Sequence, residues 1–284
     1  QRGIVVSILH NGLLYEGSSV VHSARDVSRT IAELEDTVRQ SRHQGTVKLI
    51  PEEPMEFTAG NPPADDLTEN DKATFAARMA REIKARNPLV AMASARYKQV
   101  NTREIYVSGS KSLEQYLPRF EAIYSAVLKD NATQSTAQIY DGFSRQGSWH
   151  LMADNLELID GMLHDGQRIL GAPRLTPGYY DCVFSPSLSG MLAHEAFGHG
   201  TEADTMQKGR ARGTEYLGKM VASDKVRLYD SPQLEGAAAS YHFDHEGMPA
   251  AQTQIVEQGV LTQPMTDHAS ASRMGYRRSP NGRR

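Results

Sequence analysis

FEAIYSAVL, residues 120–128, carries apolar side chains at every second position. Because successive side chains of a strand point to opposite faces of a sheet, this alternation predicts a β-strand with one buried face. Further strand-like runs at 89–97, 103–108 and 133–140 are separated by short polar turns. The four runs together predict an antiparallel meander.

The residues before the meander predict a hairpin followed by two helices. Residues 3–9 and 13–18 flank Asn11-Gly12, a dipeptide typical of a tight hairpin turn. Ser23 is the expected N-cap of the first helix, and Thr68 with Asp71 starts the second. Apolar residues at helical spacing predict the buried faces: Val27, Ile31, Leu34 and Val38 in the first helix, and Phe75, Met79 and Ile83 in the second.

Two stretches predict the division of the chain. Residues 43–66 are rich in Pro, Gly and acidic side chains and predict a long surface connection, whereas 171–177 predicts a hinge that follows a third helix at 148–164. We therefore expect an N-terminal α+β domain over 1–175, with hairpin, helices and meander, and the start of a second domain over 176–284. The predicted fold class is α+β, with antiparallel sheets, packed helices and an incomplete second domain.

Composition narrows the possible functions. The formal net charge of −3 gives no electrostatic case for nucleic-acid binding, and no apolar run approaches the roughly 20 residues of a membrane span. A single cysteine, Cys182, fits a reducing compartment, so a cytoplasmic location is expected. The chain begins inside a predicted strand and stops at NGRR without a terminating element, which indicates a fragment of a longer protein.

The candidate metal site is SLSGMLAHEAFGHGTEAD, residues 187–204, in which Glu195 lies between His194 and His199. Two imidazoles around a carboxylate are typical of zinc chemistry. Histidines five residues apart would lie roughly 140° apart on a straight α-helix and could not share one ion. A one-residue π-bulge would bring them to a common face, and so would a helix that ends near Gly198. The flanking glycines favour the second interpretation.

The helix that carries the motif has a recognisable start. Ser185 is its expected N-cap and Pro186 its first residue, after a short strand at 179–184. Its predicted apolar face consists of Leu188, Met191 and Leu192. Downstream patterns predict strands at 225–229, 252–258 and 260–263 and a helix at 267–274.

The remaining ligand is open at this stage. Catalytic zinc usually has three protein ligands, and two histidines supply only two. The alternatives within the chain are Glu202, Asp204, His242 and His245, and the last two are more simply explained as polar loop residues. The basic loop QKGRARG, 207–213, is either a solvated turn or a flap that contacts a substrate carboxylate.

Several segments together resemble one family. HEAFGHGTEAD at 194–204, DHEGMPAAQT at 244–253, IVEQGVLTQPMTD at 255–267 and NGRR at 281–284 are similar to the TldD branch of the TldD/PmbA proteins, historically named modulators of DNA gyrase. The resemblance implies a zinc metallopeptidase that acts on peptides or poorly folded chains, beside a homologous subunit that lacks the metal motif.

The resemblance also implies roles for individual residues. His194 and His199 would be ligands of Zn2+, and Glu195 the catalytic carboxylate. The family takes its third ligand, a cysteine, from a region for which this sequence has no matching position, and Cys182 precedes the motif. The leading hypothesis is thus a zinc peptidase that cleaves peptides or unfolded polypeptides. The alternative is a non-catalytic interaction or scaffold subunit whose metal motif is structural or vestigial.

Overall fold

The computed structural model describes residues 2–62, 67–147 and 155–283. Its elements confirm the predicted α+β class, with helices packed on mainly antiparallel sheets. Within the described ranges no helix combines the length and apolar character needed to cross a membrane.

The N-terminal hairpin consists of β1 (Gly3–His10) and β2 (Leu13–Val20), and helix α1 (Ala24–Gln40) packs against it. Asn11 and Gly12 have φ of 49° and 74°, the left-handed pair that a tight hairpin turn requires, so this prediction is confirmed. The buried side of α1 differs from the predicted one. Thr30 is buried and bonds the Ser19 hydroxyl of β2, which leaves the predicted core residue Ile31 37% exposed.

The main sheet is built around one long strand. β5 (Lys111–Lys129) pairs antiparallel with β4 (Val90–Val107) along one edge, and with β6 (Thr136–Gln146) along part of the other. The meander is therefore confirmed, but three strands replace the four predicted, because the polar residues of 98–102 continue the β4–β5 ladder. β3 (Met55–Ala59) pairs parallel with β5, a strand that the surface-connection prediction for 43–66 missed. Residues 63–66 of that prediction lie outside the described residues.

The two halves of β5 are buried on opposite faces. Odd-numbered positions are buried from 111 to 117, whereas even-numbered positions are buried from 120 to 128. The even face packs against α2 (Glu69–Arg86) and α3 (Leu156–Gly171) in the largest apolar core. The odd face contacts the C-terminal part of the chain through Lys111 and Gln115. One strand therefore supports two layers.

The third helix extends further than predicted. α3 begins after Asn155 and extends to Gly171, seven residues beyond the predicted end at 164. The residues 148–154 of that prediction lie outside the described residues. The second helix agrees with its prediction, since Phe75, Met79 and Ile83 are its buried residues and Thr68 is its N-cap.

The C-terminal part is a small sheet surrounded by short helices. β7 (Leu228–Asp230), β8 (Thr253–Glu257) and β9 (Val260–Leu261) pair antiparallel, near the predicted positions. The helices are α4 (Pro186–Ala193), α5 (Ala203–Gln207), α6 (Gly213–Tyr216) and α7 (His268–Met274). The strand predicted at 179–184 is wrong. These residues form no ladder, and Tyr179 and Val183 are fully exposed.

Candidate metal centre

The helix that leads into the motif begins as predicted. The Ser185 hydroxyl accepts a hydrogen bond from Leu188 N over 3.4 Å, and Pro186 occupies the first helical position. The predicted apolar face is not buried, however: Leu188, Met191 and Leu192 are 46%, 60% and 50% exposed. α4 thus delivers the motif to the surface of the described structure.

A π-helical turn brings the two histidines together. It spans His194–Gly198, and the His199 N–H donates to His194 O, five residues back. The imidazole centroids are 4.6 Å apart, with planes at 73°. The wider turn absorbs the extra residue that separates this spacing from the i, i+4 pair. The helix therefore does not end at Gly198, as the favoured interpretation held; the π-bulge is the solution found.

The turn is anchored on its other side. Phe197 packs against the core formed by Ile255, Val256 and Leu261. Thr201, 3% exposed, donates its hydroxyl to Phe197 O over 2.7 Å, and its own carbonyl accepts from Met265 N over 2.9 Å. These contacts hold the turn between the small sheet and the segment around Met265.

His194, Glu195 and His199 form a possible ligand set. One nitrogen or oxygen atom of each lies within 4.8 Å of the others, and no other group of three such side chains occurs among the described residues. Two nitrogens on one tetrahedral zinc ion would be about 3.4 Å apart. Small side-chain rotations would therefore suffice, and two imidazoles with a carboxylate suit zinc.

Glu202 orients the second histidine. Its Oε1 lies 3.0 Å from His199 Nδ1, and its Oε2 accepts from the Thr205 hydroxyl over 3.2 Å. Since a carboxylate beside Nδ1 favours the tautomer with its proton there, the Nε2 lone pair of His199 is left for a metal. Glu202 was one of the candidate third ligands, and the structure places it on the histidine instead.

The other candidate ligands lie elsewhere. Asp204 pairs with Lys208 over 2.7 Å, and this lysine holds the pKa of the Asp204 carboxyl below its usual value. His245 faces Glu104 at 3.6 Å, and His242 N donates to Gln115. Cys182 is exposed, with Sγ 3.7 Å from Tyr180 O. Neither these three candidates nor Cys182, which was not among the candidates, belongs to the ligand set within the described ranges.

The basic loop 207–213 is an exposed turn, and its end packs on the motif. A Cβ on Gly213 would lie 2.7 Å from Gly200 O and 2.9 Å from Met206 Sδ. Lys208 and Arg212 are paired with Asp204 and Glu215. The absence of a side chain at 213 therefore permits the close approach of the loop to the turn after His199.

DHEG, 244–247, was expected only as a segment of the family resemblance and as the location of the alternative ligand His245, but it forms a tightly bonded turn. Asp244 is fully buried and accepts main-chain hydrogen bonds from Glu246, Met248 and Gly282 at 2.9–3.0 Å. Asp244 stands two residues before Glu246-Gly247, and an Asp at this distance from an acidic residue followed by Gly is a local turn signal. This pattern could have indicated the turn from the sequence.

The C-terminal part of the chain matches a known protein family. Residues 177–284 match the model of the PmbA/TldA metallopeptidase C-terminal domain. A metalloprotease of Methanothermobacter thermautotrophicus is 39% identical over 116 residues, which is 41% of this chain and 25% of the relative. A metalloprotease of Methanocaldococcus jannaschii is 30% identical over 193 residues, 67% of this chain and 42% of the relative. The chain belongs to the TldD/PmbA family.

A third relative carries the metal in its name. The zinc metalloprotease TldD homolog of Saccharolobus solfataricus is 28% identical over 107 residues, 37% of this chain and 24% of the relative. This TldD/PmbA chain thus spans less than half the length of these curated relatives.

Solved structures share the fold. A modulator of DNA gyrase from Bacteroides thetaiotaomicron superposes with a TM-score of 0.80 at 18% identity, over 99% of this chain and 65% of the neighbour. TldE from Thermococcus kodakarensis gives a TM-score of 0.74 at 14% identity, over 99% and 63%. Both halves of this chain therefore have the TldD/PmbA arrangement.

Proposed function

We propose that this chain carries the ligands and the proton-transferring carboxylate of a zinc-dependent peptidase that cleaves peptides or unfolded polypeptides. The observation that supports the proposal most is the π turn, which gathers His194, Glu195 and His199 within 4.8 Å. The names of the metalloprotease relatives support the peptidase class.

His194 and His199 would hold the ion through ring nitrogens, and Glu202 would keep the His199 ring oriented by its 3.0 Å contact with Nδ1. Bound zinc would polarise a scissile carbonyl and make water more acidic. A carboxylate oxygen of Glu195 lies within 4.8 Å of a ring nitrogen of each histidine, so it would lie beside an ion held by them. It would accept a proton from the attacking water and deliver that proton to the leaving amine.

A further ligand is part of the proposal. Catalytic zinc usually has three protein ligands and one open position, and His194 and His199 would supply two of the three when Glu195 is reserved for proton transfer. We propose that the third ligand comes from outside the described residues, as the family resemblance implies. The site is exposed in this structure, so its closure would also require a covering segment.

We propose a peptide and a homologous TldD/PmbA subunit as partners. Leu188, Met191 and Leu192 present a half-exposed apolar face on the helix that carries the motif. Such a face beside a ligand set suits contact with another protein surface.

Two substitutions test the proposal in the full-length protein. Glu195→Gln should retain one zinc per chain and lose peptide cleavage by at least about a hundredfold, because only proton transfer is removed. His199→Ala should lose the zinc. Metal analysis and the hydrolysis of a denatured reporter protein are the measurements. Absence of zinc from the parent protein would leave the scaffold alternative, whereas full cleavage by Glu195→Gln would contradict the proton-transfer role proposed for Glu195.

A further inference from the structure

A cavity of about 400 Å³ lies apart from the ligand set, between the N-terminal hairpin, the connection at 49–52, the β4–β5 turn and the C-terminal part. One side is apolar and is lined by Leu9, Leu14, Leu49 and Ile50. The polar side is formed by other lining residues, among them Ser110 and Arg278. No step of the proposed proton transfer uses this cavity.

An exposed apolar side chain, Leu49, forms the rim of the apolar side. Leu49 is 74% exposed although it lines the cavity. A large apolar side chain in this position gains stability when another apolar group covers it, because the surface of both is removed from water. The rim therefore suits an apolar ligand group.

The polar side offers a hydrogen-bond donor. The side chain of Arg278 is 10% exposed, and its Nη2 donates to Glu246 O over 3.0 Å and to Glu246 Oε2 over 3.4 Å. Its Nε is enclosed without a partner, and Nη1 has no hydrogen-bond partner in the described parts of the chain. Since Nε is inaccessible, Nη1 is the donor left for a ligand.

The charges around this donor favour a neutral acceptor. Glu246 and Asp244 lie 3.4 and 4.0 Å from the Arg278 Nη2 and offset its positive charge. Glu52, also on the cavity wall, adds a negative charge, and its oxygens already accept from the hydroxyls of Tyr106, Ser108 and Ser110. An anionic ligand would gain little here, whereas a peptide carbonyl needs only one donor.

We propose that this cavity binds an apolar residue in a neutral, internal segment of a peptide, with the side chain against Leu49 and Ile50 and a main-chain carbonyl bonded to Arg278. The identity of this peptide as substrate rests on the proposed function. His268 on the cavity wall follows Met265 by three residues, at most about 11 Å of chain, and Met265 pairs with the residues after His199. A peptide of about ten residues could therefore contact both sites.

The test is direct binding of N-acetyl-Gly-Leu-Leu-Gly-amide to the protein in EDTA, by calorimetry. Leu49→Asp should weaken the affinity roughly tenfold or more, because a charge replaces the apolar rim. Met92→Asp, which alters a 67% exposed apolar residue outside the cavity, is the matched control and should bind like the parent. Circular dichroism checks that both variants fold.

Other outcomes overturn the proposal. Absence of saturable binding, equal affinity of Leu49→Asp and the parent, or a tenfold preference for the peptide with a free carboxylate would each contradict a neutral apolar subsite. Because the measurement excludes metal, its result is separate from that of the peptidase proposal. Binding with no cleavage would contradict only the latter.

Discussion

Gln115 hydrogen-bonds to both main-chain groups of Phe243. Its Nε2 donates to Phe243 O over 3.0 Å, and its Oε1 accepts from Phe243 N over 3.3 Å and from His242 N over 2.8 Å. The side chain of Gln115 is fully buried. A single side-chain amide on β5 thus makes main-chain hydrogen bonds of the kind that a neighbouring strand would make. These bonds join the main sheet to the C-terminal part.

Gln115→Leu should lower the free energy of unfolding by about 3 kcal/mol, because buried main-chain groups lose their partners while a similar volume is kept. Gln138→Leu is the control, since Gln138 is exposed on β6 of the same sheet and should change stability by less than about 0.5 kcal/mol. Urea unfolding measures both. Equal stability of the two variants would show that the Gln115 contacts contribute nothing.

Gly247 approaches Tyr106 too closely to carry a side chain. Its φ is +70°, and a Cβ would lie 2.2 Å from Tyr106 Cε1. We expect Gly247→Ala to destabilise the protein by about 3 kcal/mol, from a left-handed backbone and an overpacked contact together.

The control for this substitution is Gly236→Ala. Gly236 has the same φ of +70° but no atom within 4 Å of a built Cβ, so only the backbone cost of about 1 kcal/mol should appear. The difference between the two alanine variants in thermal or urea unfolding isolates the contact with Tyr106. A difference near zero would contradict it.

Local patterns predicted much of the fold. The Asn11-Gly12 turn, the caps at Ser23 and Thr68 and the alternation at 120–128 depend on neighbours in sequence, and all were found. The failures depend on distant partners. β3 exists because the 111–115 edge of β5 is open to it, and 179–184 remains irregular because no strand pairs with it in the described structure. The boundary near 175 stays a prediction.

The sequence predicted which residues form the candidate site but not the backbone turn that brings them together. Spacing identified His194, Glu195 and His199, whereas the means of bringing them together depends on backbone bonding that the sequence does not display. The flanking glycines suggested unwinding. Phe197 and Thr201 instead hold a continuous helical path through a π turn. The contact between Glu202 and His199 follows from that path.

The buried carboxyl of Glu246 should make the free energy of unfolding decrease as pH rises. Burial raises the pKa of its carboxyl above the ordinary 4.5, although His268 N–H and Arg278 act in the opposite direction. The folded state therefore binds this proton more tightly than the unfolded state does. The stability so gained is complete below pH about 4.5 and is lost as pH rises through the folded pKa.

The free energy of unfolding of Glu246→Gln should therefore increase relative to that of the parent as pH rises above about 4.5, as measured by urea unfolding at a series of pH values. Asp204→Asn tests a carboxyl whose contribution to stability has the opposite dependence on pH. Lys208 lowers the pKa of Asp204, so the stability from that pair is present above pH 3.8 and lost as pH falls below it. Asp204→Asn should therefore be less stable than the parent at neutral pH, and this difference in the free energy of unfolding should become smaller as pH falls below 3.8. If the difference in the free energy of unfolding between Glu246→Gln and the parent does not change with pH, the raised pKa of Glu246 is contradicted.

Gly198→Ala separates the two explanations of the histidine spacing. In the structure Gly198 has φ −52° and ψ −69°, which any residue can adopt, and a Cβ would meet Ala193 O and His194 Nδ1 at 3.8 Å, an ordinary contact. Zinc affinity should therefore stay within about threefold, with stability unchanged or raised by up to about 1 kcal/mol.

Gly213→Ala is the contrasting variant, since its Cβ would press on Gly200 O at 2.7 Å and shift the turn that follows His199. It should weaken zinc binding more than Gly198→Ala does, in a competition titration with a chromophoric chelator on the full-length protein. The reverse order would mean that the backbone freedom of Gly198 is needed for ligand geometry. A π turn closed by His199 N–H and His194 O requires no such freedom, because it keeps every residue from 194 to 199 right-handed and helical.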